Sequence, residues 1–142
     1  MKLNSQYVLE IDVPNKCNRI YGLEAVEKLI ADFNRMAYPT GKASMPVYGC
    51  LSSDLKFEPK KLLTIKVEDY SHQICQLYNK DGILRADIAI LDTPKGLILK
   101  ELYLKKQMDF RIACFCTMVN IDGKLNVTLP IFFSLFATDE GA

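Results

Sequence analysis

The first part of the chain alternates apolar and polar positions with two different periods. From Tyr7 to Val13 the period is two, which predicts a half-buried strand that stops at Pro14. The apolar side of this strand would consist of Tyr7, Leu9, Ile11 and Val13. From Leu23 to Arg35 the apolar residues recur at helical spacing with charged residues opposite them, which predicts an amphipathic helix. Its apolar face would consist of Leu23, Val26, Leu29, Ile30 and Phe33.

The middle of the chain has the pattern of loops followed by a strand meander. Met36 to Pro46 contains loop-forming residues, and a second loop, Ser52 to Lys61, follows the short apolar stretch Val47 to Leu51. Three strands are predicted next, and they are Leu62 to Val67, Ser71 to Tyr78 and Ile83 to Leu91. The residues Asn79 to Gly82 predict a hairpin turn in which Gly82 adopts a positive φ.

A helix start signal follows the meander. Thr93 can cap the helix, and Pro94 at the first helical position gives up an N–H that would have no partner there. We expect the helix to run through Gly96 to about Gln107. Its buried residues would be Leu97, Ile98 and Leu102, with Leu99 as a further candidate.

The C-terminal part predicts two more strands, Phe110 to Val119 and Leu125 to Phe136, joined at the turn signal Asp122-Gly123. Pro130 indicates that the last strand lies at an edge or contains a bulge. This order of elements is typical of an α+β fold with a mainly antiparallel sheet or small β-barrel and two main helices. Because no repeat or flexible linker divides the chain, we expect a single domain over residues 1–142, with 138–142 as a short polar tail.

Composition and charge exclude several classes of function. The 18 Lys and Arg residues nearly balance 17 Asp and Glu, and like charges do not cluster, so we expect no nucleic-acid and no membrane partner. The most apolar window, Leu125 to Ala137, is interrupted by polar residues and is shorter than the ~20 residues of a membrane helix. The N-terminal residues lack the apolar stretch of a signal peptide, which indicates a reducing compartment and free thiols. The cysteines concerned are Cys17, Cys50, Cys75, Cys114 and Cys116.

Candidate chemistry is limited by the presence of a single histidine, His72. The sequence contains no G-x-G-x-x-G, P-loop or G-x-S-x-G motif, so no motif predicts nucleotide chemistry. Cys114 and Cys116 would point two thiols to the same face of a strand, where they could seat a metal or form a redox pair. No second cysteine pair completes a tetrahedral site, so we expect no metal and no cofactor, and buried apolar cysteines are the simpler interpretation.

Three stretches together resemble the prohead (capsid maturation) proteases of tailed bacteriophages, which share a fold with the herpesvirus assembly proteases. They are Asn15 to Tyr21 with the following helix, Met45 to Leu51, and Val67 to Leu102. The most specific part is Ile90 to Leu102, which matches I-L-D-T-P-x-G-x-I-L-K-x-L in order and spacing. The resemblance covers about Val8 to Phe136 and implies a prohead-protease-like fold.

The departures from this family concern its catalytic residues. The family's histidine lies in G-E-L-x-H-P, and Ser53 occupies that position here. Its nucleophile is a serine in a G-V-S-S-R-G segment, whereas the corresponding stretch from Phe110 to Cys116 contains no serine and has its arginine displaced to Arg111. The resemblance therefore implies the framework of a protease in which neither catalytic residue is in place. Losing either member of such a pair already removes most of the rate of catalysis.

Three hypotheses follow for the function. The first is a catalytically inactive, prohead-protease-like phage protein with a structural role, a minor or auxiliary capsid component made in the host cytoplasm and located in the virion. Its partners would be other phage structural proteins such as the major capsid protein, or further copies of itself. The second is a divergent cysteine protease with Cys114 or Cys116 as nucleophile and His72 as base. The third is a phage-encoded protein that binds and inhibits a host factor.

Two kinds of contact surface are expected. The loops Met36 to Met45 and Ser52 to Lys61 flank the former active site of the family and are the natural places for a partner to bind. The last strand has more apolar residues than one buried face needs, namely Ile131, Phe132, Phe133, Leu135 and Phe136. Either both faces of this strand are covered within the chain, or one face packs on a partner subunit.

Overall fold

The computed structural model describes residues 1–40, 44–51, 67–105 and 108–138. Those residues form two sheets and two helices in an α+β arrangement, as predicted. The elements in chain order are β1 (Lys2–Glu10), β2 (Arg19–Ile20), α1 (Leu23–Ala37), β3 (Val47–Cys50), β4 (Tyr70–Lys80), β5 (Ile83–Ile90), α2 (Pro94–Leu104), β6 (Asp109–Ile121) and β7 (Lys124–Thr138).

The strands pair mainly in the antiparallel sense. One sheet has the order β1-β5-β4-β3 and the other the order β2-β7-β6, so the described strands form two sheets and not one closed barrel. The pairing of β2 with β7 and the bridge between Leu51 and Ala137 are parallel. The main core lies between the two sheets and α1, where Leu29, Ile74 and Leu135 are fully buried.

Helix α1 buries the apolar face that its spacing predicts. Val26, Leu29 and Phe33 are inaccessible to solvent, and the Phe33 ring meets Phe132 of β7 edge to face, with 5.8 Å between centroids. Leu23, at the first helical residue, is exposed and lies outside this core. The helix therefore packs on β7 through its central and last turns.

A buried carboxylate joins α1 to β7. Asp32 accepts hydrogen bonds from Lys28 at 2.7 Å, from Arg35 and from the backbone N–H of Phe132 at 3.2 Å. Burial alone would raise the pKa of this carboxyl, but the hydrogen bonds from Lys28, Phe132 and Arg35 lower it below its usual value. The Lys28 ammonium also donates to the Pro130 carbonyl at 3.1 Å. Side chains of the helix thus satisfy backbone groups of a β7 segment that contains a proline.

That segment is a β-bulge, which confirms the prediction from Pro130. Phe115 of β6 lies opposite Ile131, and Thr117 lies opposite Thr128, so β7 contains one extra residue between these pairs. Leu129, beside Pro130, has a φ of 46°. Because proline lacks a backbone N–H, it cannot donate a hydrogen bond to the neighbouring strand, and a residue in a bulge does not need to do so.

Both long hairpins close through Asp-Gly turns, as predicted. The φ angles of Asp81-Gly82 are 54° and 82°, and those of Asp122-Gly123 are 52° and 79°, so both central residues are left-handed in each turn. The side chains of Asn79 and Asn120 accept hydrogen bonds from the two glycine N–H groups at 3.1 Å and 3.0 Å. Local chemistry therefore determines both turns.

The prediction for the first strand is wrong in its bounds and only partly right in its buried face, since Leu9 and Ile11 pack in the core and Tyr7 and Val13 do not. The strand is Lys2–Glu10, Tyr7 and Val13 are exposed, and the adjacent Val8 and Leu9 are both buried. The register with β5 shifts twice, and Ser5 has a φ of 55° with its N–H donated to Asp87 at 2.8 Å. These irregularities break the alternation on which a period-two pattern depends.

The start of α2 is confirmed, and its buried face is not. The Thr93 hydroxyl accepts the Gly96 N–H at 3.0 Å and donates to the Tyr70 carbonyl at 2.5 Å. Leu97 and Ile98 are 57% and 45% exposed, against the prediction. Leu99 is fully buried, Leu102 is half-buried, and the helix ends at Leu104 where Gln107 was predicted.

The different face of α2 follows from a close backbone approach at Gly96. A Cβ atom at this position would lie 1.9 Å from the Leu91 carbonyl oxygen and 3.0 Å from that of Ser71. Only a residue without a side chain lets the helix approach β4 and β5 so closely. Leu99 and Tyr103 follow Gly96 at helical spacing, so these residues face the sheet and Leu97 and Ile98 face solvent.

Some predicted elements fall partly or wholly on residues 41–43, 52–66, 106–107 and 139–142, outside the described part of the chain. These are residues 41–43 of the loop Met36 to Pro46, the loop Ser52 to Lys61 with Ser53, most of the strand Leu62 to Val67, and most of the polar tail. Val67 itself lies in a 3-10 turn, Val67–Asp69, and Thr138 is a buried residue of β7. Among the described residues, neither helix has the length and apolar character needed to span a membrane.

The close approach at Gly96 predicts a large effect of a single methyl group. We expect Gly96→Ala to lower the free energy of unfolding by about 3 kcal/mol, because the helix must move off the Leu91 carbonyl. Gly82→Ala serves as the matched control, since its Cβ meets nothing within 4 Å and only the positive φ is strained, at about 1 kcal/mol. Urea denaturation of both variants measures the difference, and equal losses would contradict the contact.

Candidate functional site

The only histidine of the chain lies in the centre of the molecule. His72 of β4 is completely buried, with Nδ1 2.8 Å from Ser71 Oγ and Nε2 2.9 Å from the Leu135 carbonyl oxygen. A carbonyl oxygen can only accept, so Nε2 carries the proton and donates it to Leu135. Nδ1 then accepts the hydroxyl hydrogen of Ser71. Both ring nitrogens are therefore used in structural hydrogen bonds.

The imidazole is held in its neutral form. Burial lowers the pKa of His72 to about 4, and the bond to Leu135 opposes this effect only in part. The ring also packs edge to face on Phe110, with 5.3 Å between centroids. A general base must accept a proton from a group that a substrate can reach. In this environment His72 lacks both a free lone pair and access to solvent.

Gly49 of β3 makes the position of the histidine possible. A Cβ atom at this residue would lie 2.3 Å from His72 Nε2 and 2.2 Å from the Leu135 oxygen. Gly49 also pairs with His72 in the ladder between β3 and β4. The glycine therefore leaves the space through which the imidazole links β4 of the four-stranded sheet to β7 of the three-stranded sheet.

The two neighbouring cysteines of β6 have a different environment. Cys114 and Cys116 are half-buried and pack against the main core, and Cys114 Sγ lies 3.9 Å from the Tyr21 hydroxyl. Burial, and secondarily the neighbouring Cys116, raises the pKa of Cys114 to about 11. At neutral pH this thiol is protonated and is a weak nucleophile. Cys114 faces Tyr21, whereas the nitrogens of His72 face Ser71 and Leu135.

The five cysteines are free thiols in three kinds of environment. Cys50 fills core space beside Phe136, in agreement with a packing role. Cys17 and Cys75 are exposed, so core filling is the wrong interpretation for these two. The Cys17 sulfur contacts the guanidinium of Arg111. No group of three potential metal ligands occurs among the residues that the structure describes.

An apolar pocket of about 440 Å³ opens between the end of α1, β3 and β7. The Tyr48 and Tyr70 rings stack at 4.8 Å in its wall, and Ser134 donates to the Tyr48 carbonyl at 2.8 Å. The described residues of the lining include no charged side chain and suit an apolar group. It consists of Met36, Met45, Pro46, Val47, Tyr48, Gly49, Cys50, Tyr70, Phe133, Ser134 and Phe136.

The lining of this pocket includes both ends of a loop named in the sequence analysis and residues that the sequence pattern did not single out. The loop Met36 to Met45 was predicted to contact a partner, and both of its end residues line the pocket. The Met45 N–H donates to the Ala37 carbonyl at 2.6 Å, which brings the two ends together. Tyr48 and Tyr70 had no sequence signal, because their stacking depends on the pairing of β3 with β4.

Comparison with known proteins identifies the fold and not the family. No protein-family model matches the chain, and no curated protein sequence matches it. Among solved structures, the bacteriophage T4 capsid assembly protease is similar, with a TM-score of 0.72 and 13% sequence identity over 93% of this chain and 78% of that chain. The chain therefore has a prohead-protease-like α+β fold, which confirms the fold implied by the sequence motifs.

The buried histidine predicts a specific dependence of stability on pH. The unfolded chain binds a proton near pH 6.5 and the folded chain only near pH 4, so the unfolded state binds more protons between these values. The contribution of His72 to the free energy of unfolding should be constant above pH 7, fall below about pH 6.5, and decrease by about 3 kcal/mol by pH 4.

The His72→Gln variant isolates this contribution, because the carboxylates titrate in both proteins. Urea denaturation at pH 7 and pH 4.5 should show a loss about 2 kcal/mol larger for the natural chain than for the variant. Should the variant fail to fold, NMR titration of the natural His72 ring reports its pKa directly. Equal losses in the two proteins, or a ring that titrates near pH 6.5, would contradict the buried neutral imidazole.

Proposed function

We propose that this chain is a non-catalytic structural component of a tailed-phage capsid, built on the fold of a capsid assembly protease. The similarity to the T4 capsid assembly protease over 93% of the chain supports the phage context. The environment of His72 supports the loss of hydrolytic chemistry. The chain would be made in the host cytoplasm and assembled into the virion. Its partners would be capsid proteins, the major capsid protein first among them.

The observation that carries this proposal is the use of the only histidine as a structural link. Serine and cysteine nucleophiles are weak at neutral pH unless a neighbouring base removes their proton. The two nitrogens of His72 are bonded to Ser71 and Leu135, and the ring is buried. The Cys114 thiol has a raised pKa in place of the lowered one that a reactive cysteine needs.

The apolar pocket supports binding as the role of this region. Its aromatic and methionine side chains can adapt to an apolar side chain of a partner protein. Ser134 fixes the wall by its hydrogen bond to the Tyr48 carbonyl, which joins β7 to β3. Met45 is 56% exposed at the rim, where a partner would reach it first.

The first test compares virion content with proteolysis. We expect mass spectrometry of purified virions of the encoding phage to detect the chain, and we expect the purified chain to leave capsid and scaffold polypeptides intact. The Cys114→Ala and Cys116→Ala variants are the controls for thiol chemistry. Cleavage that either variant abolishes would establish a cysteine protease instead. Absence from virions combined with retention on a host protein would favour the host-factor inhibitor.

The second test addresses the pocket. Met45→Asp places a charge at the apolar rim and should lower incorporation into virions, or affinity for the capsid partner, by about tenfold. Leu97→Asp is the matched control, because Leu97 is 57% exposed on α2 and lies outside the pocket lining. Incorporation that is unchanged by the first variant or equally reduced by both would contradict a binding role of the pocket.

A further inference from the structure

The second half of β6 is an exposed sheet edge. Among the described strands, β6 pairs with β7 alone and is the last strand of the three-stranded sheet. All five residues from Thr117 to Ile121 are exposed to solvent. The backbone N–H and C=O groups on the outer side of such a strand can pair with another strand.

The β6 half of this hairpin's outer face is mainly apolar, whereas the β7 half carries Asn126 and Lys124 opposite Val119 and Ile121. The register places Phe115 opposite Ile131, and the hydroxyls of Thr117 and Thr128 lie 2.6 Å apart on the same face. Alternation along β6 then adds Val119 and Ile121 to this face. The exposed fractions of Phe115, Val119, Ile121 and Ile131 are 45%, 49%, 54% and 57%. The neighbouring Val127 points inward and belongs to the main core.

The described sheet edges differ in their protection against pairing. β1 carries Lys2 and Glu10 and has two register shifts, whereas β2 and β3 contain only two and four residues. Charges, bulges and shortness are the means by which proteins block edge pairing. The stretch Phe115 to Ile121 has no charge, no proline and no glycine. β6 has two register shifts against β7, but both lie before Thr117, so Thr117 to Ile121 is the unprotected edge segment among those described.

We propose that the Phe115 to Ile121 stretch of β6 pairs antiparallel with the same stretch of a second copy of this chain, about a two-fold axis near Met118. With this centre, Phe115 of one copy lies opposite Ile121 of the other, and Thr117 lies opposite Val119. Aromatic and β-branched residues in such cross-strand pairs stabilise a sheet. The two small sheets then form one six-stranded sheet with the order β2-β7-β6-β6-β7-β2.

Charge and symmetry favour a second copy as the occupant. In this register Asp122, in the turn that ends β6, falls opposite the uncharged Cys114 of the other copy, and Lys124 belongs to β7 on the far side of β6, so no like charges meet along the paired strands. A two-fold axis makes the contact self-complementary, because each pair of residues occurs twice. Pairing at this edge also brings the exposed side chains of Phe115, Val119 and Ile121 into contact with their counterparts across the axis, which covers part of each of them.

The test is the oligomeric state of the purified full-length chain. Light scattering after gel filtration, from micromolar to sub-millimolar concentration, should give the mass of two chains at the upper end. Val119→Lys adds an edge charge at an exposed position and should weaken dimerisation at least tenfold. Ile121→Glu is the second variant, used if the first does not fold. Leu97→Lys on α2 is the matched control and should leave the dimer unchanged.

Hydrogen exchange locates the contact. The amides of Thr117 to Ile121 should exchange more slowly in the dimer than in the Val119→Lys monomer, while those of α2 stay the same. A chain that is monomeric at every concentration would overturn the inference, as would a dimer that survives both edge variants. A monomer whose β6 amides become protected only on addition of another capsid protein would assign the edge to that protein and also overturn it. None of these results depends on whether the chain has protease activity.

Discussion

The hydrogen bond from His72 to the Leu135 carbonyl is the constraint on which the arrangement of the two sheets depends. It joins β4 to β7 through the gap left by Gly49. The neighbouring residues of β4 extend the same link. The Tyr70 carbonyl accepts the hydroxyl that starts α2, and the Ser71 carbonyl accepts the Leu91 N–H at 3.1 Å. Tyr70, Ser71 and His72 thus connect β4 to the start of α2, to the residue after β5 and to β7, respectively.

This network explains how the fold can resemble that of a protease without requiring its chemistry. The glycine of β3, the Ser71-His72 pair and the Thr93-Pro94-x-Gly96 turn are among the residues on which the sequence resemblance depends. In the structure each of them has a structural role. The two glycines allow close backbone packing, the Ser71-His72 pair forms a buried hydrogen bond, and Thr93 caps a helix. Such contacts are required for folding whether or not a nucleophile is present. A chain can therefore keep the motifs of the fold while burial raises the pKa of its Cys114 thiol.

The elements that could be predicted from the sequence are those determined by local chemistry. The Asp-Gly turns, the Thr93 cap, the apolar face of α1 and the bulge at Pro130 each depend on residues within a few positions of one another. The facing of β1 and α2 could not be predicted in this way. It depends on bulges against β5 and on the distance between Gly96 and the Leu91 carbonyl, which only the tertiary structure brings together. The same holds for the pocket, whose Tyr48 and Phe133 come from different sheets.

The pocket and the exposed edge of β6 are adjacent on the surface, so a partner bound at one of them would lie next to a partner bound at the other. Phe133 lines the pocket and packs its ring edge to face on Phe115, with 6.0 Å between centroids. A side chain in the pocket and a strand paired to β6 would therefore contact adjacent rings. With a net charge of only +1, the chain has little electrostatic repulsion to keep such apolar surfaces apart. An apolar strip of this kind is a liability for an isolated monomer and an advantage for a protein that is covered by neighbours in an assembly.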